Sequence, residues 1–210
     1  MSRNQRMSWP NRITVGRILL IVPFVIAMLH VNEPVESGRA AWPRYWALLI
    51  FLVMALSDAA DGWLARRSQS VTALGTFLDP LADKLLSTSA CLLLAAPATA
   101  IEGMVLPKTV VVIIIGKDLY TALGFLIVYL VTQEMKILPA AAGKLNTLLQ
   151  LSMVLGILIG PDASPHFAGF GLIVACLWWS AAGVAVVTMI IYTRRGTQYL
   201  NEHEQRQKTA

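Results

Sequence analysis

Four aspartates in two pairs are the residues in this sequence best suited to chemistry. Asp58 and Asp61 are three residues apart, and Asp79 and Asp83 are four apart. Either spacing puts both carboxylates on one face of a helix. If the two helices lie antiparallel, the pairs face each other, and crowded carboxylates take up protons unless cations compensate them. The set has only oxygen ligands, which favours one or two Mg²⁺ or Mn²⁺ ions over Zn²⁺.

Small residues and one arginine accompany the two acidic pairs. Arg66 can hold a phosphate through two parallel hydrogen bonds. Acids at helix ends beside water would explain one such pair, but two pairs at helical spacing with these neighbours indicate a metal–diphosphate site. The residues that leave room for a bulky group against the backbone are Ala59, Ala60, Gly62, Ala65 and Gly75.

Long apolar blocks must position these acids. The chain has 210 residues, of which 56% are hydrophobic and only 14% are charged, a composition that indicates lipid surroundings. Six blocks approach the roughly 20 residues that a membrane-spanning helix needs. Backbone groups in lipid must be satisfied within each segment, so the sequence predicts an all-α polytopic membrane protein with six transmembrane helices. The blocks are 14–30, 46–64, 82–100, 109–132, 145–160 and 167–193.

We expect one domain with polar ends. Residues 1–13 form a basic N-terminal interfacial segment, 14–193 form the six-helix domain, and 194–210 form a polar cytoplasmic tail that frays. A polar connection over 66–80 joins the acidic pairs, with Pro80 in the first turn of the third helix. The stretch 160–166 is predicted to be a plain external turn.

The net charge of +5 reflects orientation in a membrane and does not indicate nucleic-acid binding. With six spans, twelve basic residues lie on one side and three on the other. By the positive-inside rule, both termini and the acidic pairs should be cytoplasmic. We expect the inner (plasma) membrane of a bacterium.

The pattern Asp-x2-Asp-Gly-x2-Ala-Arg-x8-Gly-x3-Asp-x3-Asp, from Asp58 to Asp83, resembles the signature of the CDP-alcohol phosphotransferase family at every fixed position. Pro10-Asn11-x2-Thr14-x2-Arg17 resembles the way in which many members begin. The resemblance implies six transmembrane helices and metal-dependent transfer of a phosphatidyl group from CDP-diacylglycerol to an alcohol, with release of CMP. Homodimers are known in the family, so a homodimer is also implied.

The resemblance also assigns roles to residues. It implies that Asp58, Asp61 and Asp79 hold two metal ions, and that Asp83 completes the cluster and takes the proton from the attacking hydroxyl. It implies contacts to the CDP-lipid from Asn11, Thr14, Gly62, Ala65, Arg66, Thr72 and Gly75.

The acceptor is predicted from three basic residues. Lys117 lies beside Asp118 about 13 Å into the bilayer, where charges are functional candidates by default. A structural ion pair, with Asn146 or with the aspartate cluster, is the alternative. Lys144 stands at the inner start of the fifth helix, where snorkelling is the alternative. If these residues converge with Arg17, the pocket should prefer an anionic acceptor such as glycerol 3-phosphate.

Within the family, 109–150 resembles phosphatidylglycerophosphate synthases and CMP-forming cardiolipin synthases. Bacterial phosphatidylglycerophosphate synthases often carry Arg-Glu where this chain has Lys117-Asp118, and Gly143-Lys144-x-Asn146-Thr147 with Gln150 is similar to the cardiolipin enzymes. The predicted acceptor is therefore glycerol 3-phosphate, with phosphatidylglycerol as the alternative. Membrane lipids are further expected partners. An Asp-rich prenyltransferase, which would release pyrophosphate, and a cation carrier without enzymatic activity are competing hypotheses.

Overall fold

A computed structural model of the chain describes residues 9–32, 42–68, 73–132 and 141–209. It gives no side-chain description at 9–13, 58–68, 73–80, 129, 141, 202–204 and 206–209. All regular structure in the described ranges is α-helical, which confirms the all-α part of the predicted fold class, while the six membrane spans stay a prediction. The helices are α1 Trp9–Leu29, α2 Trp42–Ser68, α3 Ala73–Ala95, α4 Lys108–Thr132, α5 Ala141–Ala163 and α6 Phe170–Thr209.

The connection between the two helices that carry the acidic pairs is shorter than the sequence suggested. α2 continues to Ser68 and α3 begins at Ala73, so only 69–72 separate them instead of the predicted connection over 66–80. Pro80 is the eighth residue of α3, not part of its first turn. Ala73, Leu74 and other helix-compatible residues start α3 two turns ahead of the proline, which removes a single backbone donor without ending the helix.

Two other predicted boundaries are wrong. α5 runs through Pro161 to Ala163, so the expected turn at 160–166 is partly helical. α6 is 40 residues long and continues to Thr209, where the sequence suggested a frayed tail beyond 193. The polar segment 194–209 is rich in Arg, Gln, Glu and Lys, all good helix formers, and these outweigh the single Gly196.

Three of the helices in the described part of the chain are long and apolar enough to cross a membrane, over Lys108–Thr132, Ala142–Ala163 and Phe170–Asn201. Thr14–Leu29 and Trp42–Ser57 are shorter apolar helical segments. Large apolar side chains cover the outside of these helices; on α4, Val112 and Leu119 are each 70% exposed. Surfaces of this kind are stable against lipid and not against water. The protein is a helical membrane protein.

The described residues divide into two compact units. The first unit contains the described residues as far as Val105 together with Val154–Gly171, and the second contains Leu106–Met153 and the described residues from Leu172 onward. In the first unit α1 packs against both α2 and α3. Phe24 on α1 and Phe51 on α2, both fully buried, have ring centroids 5.7 Å apart.

In the second unit, two neighbouring residues of α6 connect it to α4 and α5. The Thr193 Oγ1 and Tyr120 Oη atoms share a hydrogen bond of 2.7 Å. A Cβ atom built on Gly143, near the start of α5, would lie 3.4 Å from Tyr192 Oη. Residue 120 of α4, residue 143 of α5 and residue 192 of α6 therefore lie at about the same height along the three helices.

Candidate active site

The directions of the first three helices follow from two connections. Asn32, just after α1, donates its Nδ2 hydrogens to the carbonyl oxygens of Ala98 and Ala100 at 3.2 and 2.9 Å, so the ends of α1 and α3 lie together. α1 and α3 consequently run in the same direction. α2 packs against α1 and is separated from α3 by only 69–72, so we expect it to run opposite to both.

The phenylalanine contact then sets the register between α1 and α2. Seven residues before Phe24 is Arg17, and seven residues after Phe51 is Asp58, so both are about 10 Å along their helices from the contact. Three further residues reach Thr14 on α1 and Asp61 on α2. The first predicted acidic pair is therefore level with the Thr14 and Arg17 positions of α1.

α3 brings the second acidic pair to the same level. Arg17 is fifteen residues before Asn32, and Asp83 is fifteen residues before Ala98, to which Asn32 is hydrogen-bonded. Asp79 is one turn further toward the start of α3. By position along the helices, all four aspartates fall within about two turns of one another.

Arg17 and Thr14 are buried at this level. Their exposed fractions are 2% and 1%, and they are three residues apart on one face of α1. A buried guanidinium is costly unless anions compensate it. The aspartates of α2 and α3 are expected at this level and are candidate partners of Arg17. Asp83 itself is half-buried.

Several predicted contacts cannot be compared with side-chain positions. The side chains of Asp58, Asp61 and Asp79 lie outside the described residues, as do the predicted CDP-lipid contacts of Asn11, Gly62, Ala65, Arg66, Thr72 and Gly75. Where side chains are described, no three His, Cys, Asp or Glu residues form a group that could hold a metal ion. The metal cluster, which needs the three undescribed aspartates, therefore stays a prediction.

The predicted acceptor residues differ in their surroundings. Lys117 is 4% exposed, and its Nζ atom is 2.6 Å from Asp118 Oδ1. The neighbouring residues of α4 thus form an ion pair that is neutral overall. Lys144 is exposed near the start of α5. The described geometry gives Lys117 an ionic partner and leaves Lys144 accessible.

A second ion pair was missed in the sequence. Arg44 Nη1 and Nη2 donate to the Asp162 carboxylate at 2.8 and 2.9 Å, and Nη1 also donates to the Leu158 carbonyl oxygen at 2.8 Å. Tyr45 Oη donates to Asp162 at 2.9 Å, and the Arg44 guanidinium lies 4.7 Å from the Tyr45 ring centroid.

The fork between Arg44 and Asp162 joins the start of α2 to the end of α5, fourteen residues from Asp58 along α2. It has a structural role, at the end of α2 remote from the acids. The available signal was an Arg-Tyr pair at one block end and a Pro-Asp pair at another.

The helical membrane architecture and the two acidic pairs in the sequence together indicate a membrane-embedded enzyme of phosphate chemistry. The model of the CDP-alcohol phosphatidyltransferase family matches residues 7–191. The chain belongs to that family, which makes it a phosphatidyltransferase of phospholipid biosynthesis and confirms the predicted family.

Named relatives cover much of the chain. It is 32% identical over 154 residues to the CDP-diacylglycerol–glycerol-3-phosphate 3-phosphatidyltransferase of Bacillus subtilis (strain 168), covering 71% of this chain and 76% of the relative. It is 26% identical over 190 residues to the protein of the same name from Rickettsia bellii (strain RML369-C), covering 90% and 96%. It is 28% identical over 198 residues to the cardiolipin synthase (CMP-forming) of Oryza sativa subsp. japonica, covering 90% of this chain but 57% of the rice protein.

Proposed function

We propose that the protein transfers the phosphatidyl group of CDP-diacylglycerol to glycerol 3-phosphate and releases CMP. The observation that carries the proposal is the family match over 7–191, which includes the whole motif from Asp58 to Asp83. An antiparallel register of α2 and α3 is part of the proposal, because it would bring both acidic pairs to one level. The names of the Bacillus and Rickettsia relatives support this donor and this acceptor.

The four aspartates fit one or two Mg²⁺ or Mn²⁺ ions. Asp58, Asp61, Asp79 and Asp83 supply only oxygen ligands, and these are what both ions prefer. Crowded carboxylates repel one another unless cations compensate them. When bound, the metal ions neutralise the charge that develops on the departing CMP and polarise the phosphorus.

The residues of the chain then bind, orient and accept a proton. Gly62, Ala65 and Gly75 leave space for the diphosphate and Arg66 holds it through its fork, while Asn11, Thr14 and Thr72 contact the CDP-lipid. Asp83 takes the proton of the acceptor hydroxyl. The acceptor oxygen forms its bond to the phosphatidyl phosphorus as the bond from that phosphorus to the CMP oxygen breaks, and CMP leaves with the electron pair. No protein residue forms a covalent intermediate.

The proposed topology has six transmembrane helices with both termini and the acidic pairs on the cytoplasmic side of a bacterial inner membrane. The excess of Lys and Arg on that side supports the orientation. Lys144, exposed near the start of α5, is on this side and is a candidate contact for a soluble anionic acceptor. We include a homodimer in the proposal on the strength of the family resemblance.

A second candidate function is a CMP-forming cardiolipin synthase, with phosphatidylglycerol as the acceptor. The rice relative favours it, as does the stretch 143–150. Both candidates use the same donor and the same aspartates, and they differ in whether the acceptor is water-soluble or a lipid.

The test is a set of parallel reactions of the purified protein with CDP-diacylglycerol and Mg²⁺. Separate reactions receive glycerol 3-phosphate, phosphatidylglycerol or myo-inositol phosphate, and CMP and the lipid product are measured. We expect CMP and phosphatidylglycerophosphate with glycerol 3-phosphate, and no turnover after chelation of the metal. Turnover with phosphatidylglycerol alone would establish the second candidate, and pyrophosphate release or the absence of CMP would overturn both.

A further inference from the structure

Two amide side chains of α5 are buried and have hydrogen-bonding atoms that are not satisfied. Asn146 is 0% exposed and Gln150 is 2% exposed, and they are four residues apart on one face of the helix. Within the part of the chain that the structure describes, neither amide atom of Asn146 has a hydrogen-bond partner, nor has Gln150 Nε2. Buried polar groups are normally paired, so three unsatisfied atoms on one face indicate a ligand.

The contacts of the second unit show at which level Asn146 lies. α4, α5 and α6 are each long and apolar enough to cross a membrane, and we take them as consecutive spans, which run in opposite directions. Lys117 is three residues before Tyr120 on α4, and Asn146 is three residues after Gly143 on α5. Both are therefore about 4.5 Å from the tyrosine contacts in the same direction. Asn146 is level with the ion pair of α4, and Gln150 is one turn further along α5.

The charges at this level cancel. Lys117 Nζ is 2.6 Å from Asp118 Oδ1, so the only buried cation described on α4 is already compensated. An anionic group gains little at a neutral level, whereas a neutral polar group can bind there through hydrogen bonds. The amide level therefore suits an uncharged part of a ligand.

The unsatisfied atoms further limit the chemical class of the ligand. Asn146 offers both a donor and an acceptor, and Gln150 offers a donor. A phosphate oxygen only accepts hydrogen bonds, and an acyl chain does neither. A hydroxyl group both donates and accepts, and a polyol presents several hydroxyls at spacings that two amides one turn apart can reach.

We propose that Asn146 and Gln150 bind the hydroxyl groups of a glycerol-based acceptor and are specificity-determining residues for it. This inference rests on the proposed function, since it names which residues of the second unit recognise that acceptor. It gives the amides a role separate from the basic residues: the amides hold neutral hydroxyls, and Lys144 is left to meet a phosphate.

A substrate analogue makes the test specific. Purified full-length protein receives saturating CDP-diacylglycerol and Mg²⁺, and CMP release is measured against the concentration of glycerol 3-phosphate or of 3-hydroxypropyl phosphate. The analogue keeps the phosphate and the terminal hydroxyl but lacks the central hydroxyl. We expect Asn146→Leu and Gln150→Met each to raise KM for glycerol 3-phosphate about five- to tenfold, the effect of one lost hydrogen bond.

The analogue and the donor supply the decisive readouts. The preference of the wild-type protein for glycerol 3-phosphate over the analogue should shrink in at least one variant, and KM for CDP-diacylglycerol should not change. The control is Thr188→Val, because Thr188 is 1% exposed, lies four residues before Tyr192, and donates only to Val184 O of its own helix, at 2.6 Å. Its kinetics should stay at wild-type values.

Thermal unfolding separates recognition from packing. Removing a buried polar group that has no partner should leave the unfolding temperature unchanged or raise it. A lowered unfolding temperature with an unchanged preference between the two acceptors would overturn the proposal in favour of a structural role. Unchanged KM and preference in both variants would also overturn it. If the wild-type protein releases no CMP with any acceptor, the proposed function fails instead, and this outcome is visible before any variant is made.

Discussion

The two compact units treat buried charge in different ways. In the first, the proposed register of α2 and α3 gathers four aspartates into an acid-rich level, and Arg17 on α1 is buried. In the second, Lys117 and Asp118 are neighbours on one helix and form a pair that is neutral by itself. The difference indicates what each region should bind: positive charge at the acid-rich level, and hydrogen-bonding groups beside the amides of α5.

The comparison also separates two kinds of recognition. Excess carboxylate suits metal ions and, through them, a diphosphate. A neutral level with unsatisfied amides suits hydroxyl groups. The same chain can therefore bind a charged donor and a polyol acceptor with chemically distinct sets of residues.

The largest expected effect is at the acid-rich level. Asp83→Asn should lower kcat about 1,000-fold, because an amide of the same size cannot accept a proton. Binding of CDP-diacylglycerol, measured separately, should be largely retained. Ser87→Ala is the control, since Ser87 lies one turn further along α3 and bonds to Lys84 O at 3.3 Å. Asp83→Asn activity above a tenth of the wild type would refute the assignment of the general base.

The next test concerns the neutral pair. Lys117→Met should reduce the free energy of unfolding by about 3–5 kcal/mol, because it leaves the Asp118 carboxylate in a buried position without the lysine. Lys117→Met/Asp118→Leu should recover most of the loss. Denaturant unfolding in detergent is the measurement, with the exposed Lys144→Met as the control. A double variant as unstable as the single one would show that Lys117 and Asp118 do not mainly compensate each other.

Alanine substitutions at two glycines compare the side-chain packing of the two units. In the first unit, a Cβ atom on Gly160 would overlap the Sδ and Cε atoms of Met104. Gly160→Ala should therefore cost about 1–2 kcal/mol, and Met104→Ala should relieve part of it. In the second unit, Gly143→Ala adds a Cβ at 3.4 Å from Tyr192 Oη, and we expect unchanged stability. Equal losses of unfolding temperature for both alanine variants would contradict this contrast.

The smallest expected effect is at the ion pair of the first unit that lies away from the acids. Asp162→Asn should cost about 1 kcal/mol, because the Asp162 side chain is 43% exposed and water already screens its pairing with Arg44. Salt at 0.5 M should shrink that difference but leave the effect of Lys117→Met nearly unchanged, since buried pairs are screened less. Equal salt responses, measured by unfolding temperature, would remove the distinction between the two ion pairs.

Much of this architecture could be predicted from the sequence. The apolar blocks located the six helices that the structure describes, and the acidic motif identified the family because it resembles the family's signature at every fixed position. Helix ends were less predictable. Pro80 looked like a start signal, but the helix-forming residues before it extend α3 by two turns. The Arg, Gln, Glu and Lys residues after Tyr192 looked like a tail, although they favour a helix.

The candidate site, like the helix ends, could be predicted only in part. Spacing along one helix predicted that the acids of each pair share a face, and this stays a prediction because the side chains of Asp58, Asp61 and Asp79 lie outside the described residues. Spacing could not reveal long-range partners: Arg44 and Asp162 are 118 residues apart in sequence, and nothing local indicates their contact. The burial of Asn146 and Gln150 also depends on neighbouring helices, so the sequence suggested only a family likeness for them.

The length of α6 has a practical consequence. Its 40 residues extend about 60 Å, whereas the hydrocarbon layer is about 30 Å thick. Roughly half of the helix must therefore project into water as a polar rod. A fluorophore or an affinity label attached near the exposed Gln205 would be carried well clear of the lipid surface, which makes this position a suitable handle for immobilising the enzyme while both substrates retain access from the bilayer and from solution.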